Sequence, residues 1–208
     1  MEVSPILTVK DLVISTLNES KQVTLVNNLS FELLPSEILS IVGESGSGKS
    51  ITAKSILGLL PKNFSVSGEI KYYEKNLIQT DEKAMLSVRG HEIGIVFQEP
   101  MTALNPVLSI GEQLTESMII SGKVNSKVAH GLALEMLNRV GIPHPKERME
   151  QFPHEFSGGM RQRILIAMMM LMEPNILIAD EPTTALDVTI QAQILDLLSA
   201  LVQEEKMS

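Results

Sequence analysis

Residues 43–50 have the sequence GESGSGKS, a G-x-x-x-x-G-K-[ST] pattern that follows an apolar run and precedes a segment with helical spacing. Glycines let consecutive backbone N–H groups curl around phosphate oxygens, and a helix N-terminus adds its positive dipole. Lys49 supplies a mobile cation, and the Ser50 hydroxyl suits Mg²⁺. The pattern predicts nucleotide phosphate binding, and an ordinary glycine-rich turn is the alternative. The predicted binding residues are Gly43, Glu44, Ser45, Gly46, Ser47, Gly48, Lys49, Ser50 and Ile51.

Two adjacent carboxylates, Asp180 and Glu181, end a short apolar stretch. In α/β proteins the ligand crevice lies at the carboxyl ends of the strands. Because neighbouring strand residues point to opposite faces, the two carboxylates are expected to have different roles. Asp180 suits Mg²⁺, directly or through water, and Glu181 suits orienting or deprotonating the water that attacks a γ-phosphate. Alone, the pair would fit a solvated turn, but together with the phosphate-binding stretch it predicts hydrolysis.

Strands and helices must position these residues. Residues 6–15 and 23–33 are rich in Val, Ile, Thr and Leu, which predicts an antiparallel hairpin. The apolar segment 37–43 predicts a compact strand that leads into the phosphate-binding stretch, and residues 49–60 predict the helix after it. The order strand, glycine loop, helix is the expected result.

The second half of the chain has mostly helical spacing from Ile110 to Met149. Residues 175–180 predict a short buried strand, and Asp187 is predicted to cap the last helix. The methionines at 168–170 and 172 are interpreted as core packing rather than as a metal site. In residues 128–141 the predicted buried face consists of Val128, Leu132, Leu134, Met136, Leu137 and Val140. The predicted inward residues of the last helix are Ile190, Ile194, Leu197, Leu198 and Leu201.

Composition limits the classes of function. The chain has 208 residues, 44% of them apolar, a net charge of -8 and no cysteine. The negative charge disfavours nucleic acid as a general partner, and the absence of cysteine fits a reducing compartment. The longest apolar run, residues 164–172, is about half of the ~20 residues that span a bilayer. No secretory signal is recognised at the N-terminus, so any membrane role is expected to be peripheral.

Several motifs occur in a specific order: GESGSGKS, FQEP at 97–100, SGGMRQR at 157–163, ADEP at 179–182 and ALD at 185–187. In this order they resemble the ATP-binding subunits of ABC transporters, over nearly the whole chain. The resemblance implies an α/β fold, with a P-loop NTPase (RecA-like) core, an N-terminal antiparallel β subdomain and an inserted α-helical subdomain. It implies one nucleotide-binding domain over 1–208, with residues 1–97 and 161–208 in the β subdomain and core. Residues 98–160, approximately, would form the helical subdomain.

The resemblance also implies roles for further residues. Two subunits would face each other head to tail, and Ser157, Gly158 and Gly159 would complete the ATP site on the partner's phosphate loop. Gln98 would meet Mg²⁺ or the attacking water, and Asp187 would cross the dimer interface. Arg161 and Arg163 are interpreted as salt-bridge and interface residues.

The segments FQEPMTALNPVLSIGEQL and FPHEFSGGMRQR resemble the corresponding sequences of the ATP-binding subunits that power importers for dipeptides, oligopeptides and nickel. The implied function is an ATPase subunit, peripheral at the cytoplasmic face of the membrane, that powers peptide import. A nickel or metal-chelate importer of the same subfamily is the alternative. A soluble ABC ATPase and a catalytically silent regulatory subunit remain as further alternatives. The implied partners are a second ATPase subunit, two membrane permeases and, indirectly, an extracytoplasmic solute-binding protein.

Two features depart from the family pattern. The family stacks adenine on an aromatic residue of the N-terminal sheet, but the first aromatic here is Phe31, so Ile14 or Leu17 would have to serve. The family's switch histidine follows the last helix, and His91, His130, His144 and His154 all precede Glu181. We therefore expect a chain shortened at its C-terminal end, which binds ATP but turns it over poorly alone.

Overall fold

The computed structural model describes residues 4–18, 21–97, 103–122, 124–183 and 187–208. The chain forms two compact units: Met1–Ile93 with Leu201–Ser208, called the N-terminal unit here, and Gly94–Ala200, called the helical unit. Within the described ranges, no helix has the length and apolar character that a membrane span requires.

The N-terminal unit is built on a four-stranded antiparallel sheet with the strand order β2-β1-β3-β4. Its strands are β1 (Leu7–Asn18), β2 (Lys21–Leu33), β3 (Phe64–Tyr72) and β4 (Lys75–Asn76). β1 and β2 pair from Leu7 opposite Leu33 to Asn18 opposite Lys21, which confirms the predicted hairpin. β1 pairs with β2 on one side and β3 on the other, and its Leu12 and Ile14 are completely buried.

The segment between β2 and β3 contains the phosphate-binding stretch and helix α1 (Lys49–Ile56). The helix is shorter than predicted, because Leu57 caps it and Gly58, with a φ of 61°, turns the chain away. The strand predicted over residues 37–43 is wrong: no strand of the described chain covers it. A strand needs a neighbour for its N–H and C=O groups, which local composition does not guarantee. Ile38, Ile41 and Val42 are exposed, Val42 by 91%.

The C-terminal end of α1 is held by Arg89, which directly follows helix α2 (Glu82–Val88). Arg89 Nε donates to the Leu57 carbonyl at 2.8 Å, and Nη2 donates to the Gly58 carbonyl at 3.3 Å. The guanidinium also pairs with Glu82. A cation at a helix C-terminus neutralises the negative end of the dipole and binds carbonyls that lack helical partners. Arg89 therefore fixes α1 at the end opposite the phosphate-binding stretch.

The helical unit confirms the helices predicted between Ile110 and Met149. A two-stranded sheet in this half of the chain pairs β5 (Ile93–Val96) with β6 (Ile176–Ala179). The helices are α3 (Ile110–Ile120), α4 (Ser126–Arg139), α5 (Pro145–Arg148), α6 (Gly158–Met170) and α7 (Val188–Glu205). The last residues of α7, from Leu201, belong to the N-terminal unit.

The buried face of α4 confirms the predicted Met136, Leu137 and Val140 but differs from the prediction in the first half of the helix. Val128 and Leu132 are 46% and 39% exposed, whereas Ala129 and Ala133 are completely buried. The buried stripe is shifted by one residue because small alanines let a neighbouring element approach closely, a property that a count of large apolar residues misses. Ala129 packs with Met118 and Met172. The interpretation of the methionine run as core packing is confirmed by Met170 and Met172, which are 3% and 6% exposed.

Candidate nucleotide site

The phosphate-binding stretch folds as a tight loop in front of α1. Gly46 and Gly48 have φ angles of 82° and 95°, in the left-handed region that glycine adopts without strain. A Cβ on Gly48 would lie 2.9 Å from Val26 Cγ2 and 3.2 Å from the Leu25 carbonyl oxygen, so only glycine fits there. Gly48 is the N-cap of α1, and the first turn carries no acidic residue. The positive end of the helix dipole is therefore not offset by a carboxylate of its own first turn.

The side chain of Lys49 folds back onto the first residues of this loop. Its Nζ donates to the carbonyl oxygens of Gly43 and Glu44, both at 2.9 Å. Residues 43–47 are exposed, and Lys49, Ser50 and Ile51 are half-buried at the start of α1. The structure thus brings together all nine residues predicted from the pattern, with the ammonium group beside the backbone that would surround a phosphate.

The acidic pair lies in the helical unit, directly after β6. Asp180 is 7% exposed, and its backbone N–H donates to the Val96 carbonyl at 3.0 Å, which extends the pairing with β5. Glu181 is half-buried and has a φ of 48°. A left-handed conformation is uncommon for a residue other than glycine and costs about 1 kcal/mol or more, and such residues cluster at functional sites. Both carboxylates follow the last residue of β6, so the alternation expected along a strand does not apply to them, and their different roles stay a prediction.

The segment with sequence SGGMRQR, called the signature segment here, forms the start of α6. Ser157 is the N-cap, and its Oγ accepts a hydrogen bond from Met160 N at 3.3 Å. A Cβ on Gly159 would lie 2.8 Å from Ile190 Cγ2. Gly159 is thus required for contact between α6 and α7, a packing role that the sequence reasoning did not include.

Asp187 confirms its predicted capping role, because its Oδ1 accepts a hydrogen bond from Ile190 N at 3.0 Å. Gln98 lies outside the described residues. Among the residues that are described, no group of three or more His, Cys, Asp and Glu side chains could hold a metal ion. His154, beside the signature segment, is exposed and its ring stacks with Phe152 at 6.1 Å between centroids.

The sequence reasoning also missed the partners of the signature arginines. Arg161 Nε donates to the Phe156 carbonyl at 3.0 Å. Arg163 Nη1 donates to the Val140 carbonyl at 2.6 Å, and Nη2 donates to Gln193 Oε1 at 3.0 Å. The one available signal was Gly141 after a predicted helix end, since a helix C-terminus with a glycine exposes carbonyls that an arginine can bind.

Comparison with known proteins decides the family. The profile of the family described as ABC transporter matches residues 26–184 of this chain. The chain belongs to the ABC transporter family. The matched range contains the motifs GESGSGKS, FQEP, SGGMRQR and ADEP, and ALD at 185–187 directly follows it. The resemblance inferred from the sequence is confirmed.

Curated ABC transporter proteins match nearly the whole chain. The oligopeptide transport ATP-binding protein OppD of Bacillus subtilis is 50% identical over 97% of this chain and 57% of its own length. The dipeptide transport ATP-binding protein DppD of the same organism is 49% identical over 98% of this chain and 61% of its own length. The chain thus spans about six tenths of the length of these relatives.

Solved ABC cassettes share the fold. The ATP-binding cassette MJ0796, a dimer bound to ADP and Pi in a post-hydrolysis state, superposes with a TM-score of 0.83 at 28% identity, over 96% of this chain and 84% of that chain. The structure of cbiO1 from Clostridium perfringens, part of the ABC transporter complex cbiONQ, gives a TM-score of 0.80 at 28% identity, over 98% of this chain and 76% of that chain. The predicted α/β cassette fold is confirmed.

Proposed function

We propose that this chain binds and hydrolyses ATP as the ATP-binding subunit of an importer for oligopeptides or dipeptides. The observation that carries this proposal is the 49–50% identity to OppD and DppD across 97–98% of the chain. Their names refer to oligopeptide and dipeptide transport, which favours peptides over the nickel or metal-chelate alternative. At this level of sequence identity over nearly the whole chain, we expect this protein to bind ATP through its phosphate loop as an ATP-binding subunit does.

The phosphate loop supplies the binding energy for the nucleotide. Backbone N–H groups of residues 43–51 and the N-terminus of α1 provide donors and a positive dipole to the phosphates. Lys49, whose Nζ here donates to the carbonyls of Gly43 and Glu44, would exchange those carbonyls for phosphate oxygens. The exchange replaces neutral acceptors with charged ones and so strengthens each bond.

The donor set fits Mg²⁺. By residue type, the Ser50 hydroxyl, the Asp180 carboxylate and the Gln98 amide are hard oxygen ligands of the kind that Mg²⁺ prefers, and within the helical unit Asp180 is only 7% exposed. A Mg²⁺ ion held by these residues would supply positive charge that offsets the charge on the phosphate oxygens. Glu181 orients the attacking water and accepts its proton, and Lys49 stabilises charge on the transferred phosphoryl group.

The signature segment acts in this proposal on the ATP of a second subunit placed head to tail. Ser157, Gly158 and Gly159 present the N-terminus of α6, and Asp187 lies at the same interface. The dimeric state of MJ0796 supports this arrangement. Two membrane permeases and an extracytoplasmic solute-binding protein complete the importer, which places this chain at the cytoplasmic face of the cell membrane.

Two variants test the ATPase proposal. Lys49→Ala should weaken MgATP binding at least tenfold in a fluorescence titration, because the only lysine of the loop is removed. Glu181→Gln should keep the affinity but abolish phosphate release, and ATP-dependent dimers should persist in size-exclusion chromatography. Unchanged affinity in Lys49→Ala, or undiminished hydrolysis in Glu181→Gln, would contradict the proposal.

Identifying the transported solute requires an uptake experiment with the complete importer. Cells or proteoliposomes carrying it should accumulate a labelled oligopeptide or dipeptide, and Glu181→Gln should stop the accumulation. Uptake of nickel without uptake of peptides would establish the alternative.

A further inference from the structure

Arg163 lies on the first turns of α6 and reaches the end of another helix. Its Nη1 donates to the carbonyl of Val140, the C-cap of α4, at 2.6 Å. The C-terminus of a helix carries partial negative charge and carbonyls without helical partners, so a guanidinium there makes a charge-assisted hydrogen bond. This hydrogen bond joins the end of α4 to α6, which begins with the signature segment and is called the signature helix here.

The chain makes room for this contact at Gly141. This residue has a φ of 75°, and a Cβ added to it would lie 3.0 Å from Arg163 Nη1. Any other residue at this position would meet both a strained backbone and the guanidinium. The termination of α4 and the placement of Arg163 therefore depend on the same glycine.

The second arm of the guanidinium reaches α7. Arg163 Nη2 donates to Gln193 Oε1 at 3.0 Å, one turn along from the contact of Gly159 with Ile190. Residues three or four apart lie on one face of a helix. Gly159 and Arg163 therefore share a face of α6, and Ile190 and Gln193 share a face of α7. The Gly159–Ile190 and Arg163–Gln193 contacts are adjacent between the two helices. The contact of Gly159 with Ile190 lies close in sequence to Ser157, the N-cap of α6, and to Asp187, which caps α7.

We propose that Arg163 is a positioning residue that fixes the signature helix, the end of α4 and the start of α7 relative to one another. Through this link, Ser157 and Asp187 keep one mutual orientation when they meet the partner subunit. The inference rests on the proposed function, in which both residues act across the dimer interface. The phosphate loop belongs to the N-terminal unit and makes none of these contacts, so ATP binding by a single subunit should not depend on Arg163.

The test uses the full chain in a Glu181→Gln background, which does not require turnover. Nucleotide affinity is measured with a fluorescent ATP analogue at protein concentrations below dimerisation, and the ATP-dependent dimer is measured by analytical ultracentrifugation. In Arg163→Ala we expect the affinity to stay within twofold and the protein concentration needed for half dimerisation to rise at least tenfold. Arg163→Lys, which can keep one bond, should give an intermediate value.

Further variants separate positioning from folding. Gln193→Ala changes an exposed side chain, should fold normally, and should weaken dimerisation alone but have no added effect in Arg163→Ala. Gly141→Ala should reproduce the dimerisation defect by displacing the guanidinium. Gly122→Ala is its control, because Gly122 also has a positive φ, of 68°, and no atom of the described residues lies within 4 Å of an added Cβ there.

Three outcomes would overturn the inference: dimerisation unchanged in both Arg163→Ala and Gln193→Ala, affinity and dimerisation lost in parallel, or Gly122→Ala as defective as Gly141→Ala. Failure of the Glu181→Gln chain itself to bind the nucleotide or to dimerise would instead contradict the proposed function.

Discussion

A Cβ atom on Gly159 would lie 2.8 Å from Cγ2 of Ile190, so the first turns of α6 and α7 touch at a glycine. Gly159→Ala should therefore destabilise the chain by about 1–3 kcal/mol through overpacking. Thermal denaturation should show the loss, and Gly159→Ala combined with Ile190→Ala should recover part of it. Gly131→Ala is the matched control, since nothing in the described part of the chain lies within 4 Å of an added Cβ there and alanine favours a helix. Equal destabilisation by both alanines would contradict the contact.

Arg89 stabilises the helix that carries the phosphate loop. Arg89→Ala removes hydrogen bonds to the Leu57 and Gly58 carbonyls and should cost about 1.5–3 kcal/mol of unfolding free energy, measured by urea denaturation. Because α1 loses its fixed end, we also expect weaker binding of the ATP analogue. Lys83→Ala removes an exposed cation from α2, the helix that Arg89 caps, and should change neither quantity. A similar loss in both variants would mean that Arg89 acts by charge alone.

Glu112 carries a pH-dependent contribution to stability. Hydrogen bonds from the backbone N–H and then the hydroxyl of Ser109, at 2.7 and 2.8 Å, hold the pKa of the Glu112 carboxyl below its usual range. A lowered pKa in the folded state contributes stability above the unfolded pKa, and this contribution is lost as the pH falls through the folded pKa.

Ser109→Ala should raise the pKa of Glu112 only part of the way to the usual range, because the backbone donor remains. Carboxyl NMR titration measures the change. Ser117→Ala, on an exposed position of the same helix, should leave the titration of Glu112 as it is. No change in Ser109→Ala would show that its hydroxyl is not a significant donor.

Two buried glutamines should respond oppositely to loss of their amides. Gln162 is 1% exposed, and neither Nε2 nor Oε1 has a hydrogen-bond partner within the described residues. Gln113 is 5% exposed, accepts from Asn105 N, and donates to the carbonyls of Asn105 and Leu108. Gln162→Met should raise the melting temperature or leave it unchanged, whereas Gln113→Met should cost about 1–3 kcal/mol. Calorimetry measures the stability of both variants. A larger loss of stability in Gln162→Met than in Gln113→Met would contradict the hydrogen bonding described for the two glutamines.

Leu17 is the better of the two candidate platforms for the nucleobase, because Ile14 is completely buried while Leu17 is 65% exposed. Leu17→Tyr should tighten ATP binding by about 1 kcal/mol, or roughly fivefold, if stacking on an aromatic ring adds what it does at other nucleobase sites. Leu86→Tyr, at an exposed leucine of the same unit, should not change the affinity. Equal tightening in both variants would argue against a base contact at Leu17.

Features defined by neighbours in the sequence could be predicted. The hairpin of β1 and β2, the start of α1 and the cap at Asp187 follow from residue types at fixed spacing, and the structure has them. The geometry around Gly48 follows as well, since the pattern places glycine where the backbone must be left-handed.

Features that depend on distant residues could not be predicted. The buried residues in the first half of α4 were misplaced because Ala129 and Ala133, small residues with weak hydrophobicity, are buried by what packs against them. Likewise, nothing in the spacing of the signature segment indicates that Gly159 meets Ile190 or that Arg163 reaches Val140. The strand expected over residues 37–43 failed for the same reason, since pairing is a property of the whole sheet.

That unpaired segment has a practical consequence. Ile38–Val42 has the sequence ILSIV, without charge or proline, and most of its apolar surface faces solvent. Short stretches of this kind assemble into intermolecular β-sheet when chains are concentrated. Preparations of the isolated polypeptide should therefore form oligomers even without nucleotide, and Ile41→Lys should reduce them. Light scattering recorded without ATP measures these oligomers. Any association induced by ATP must be counted above that baseline.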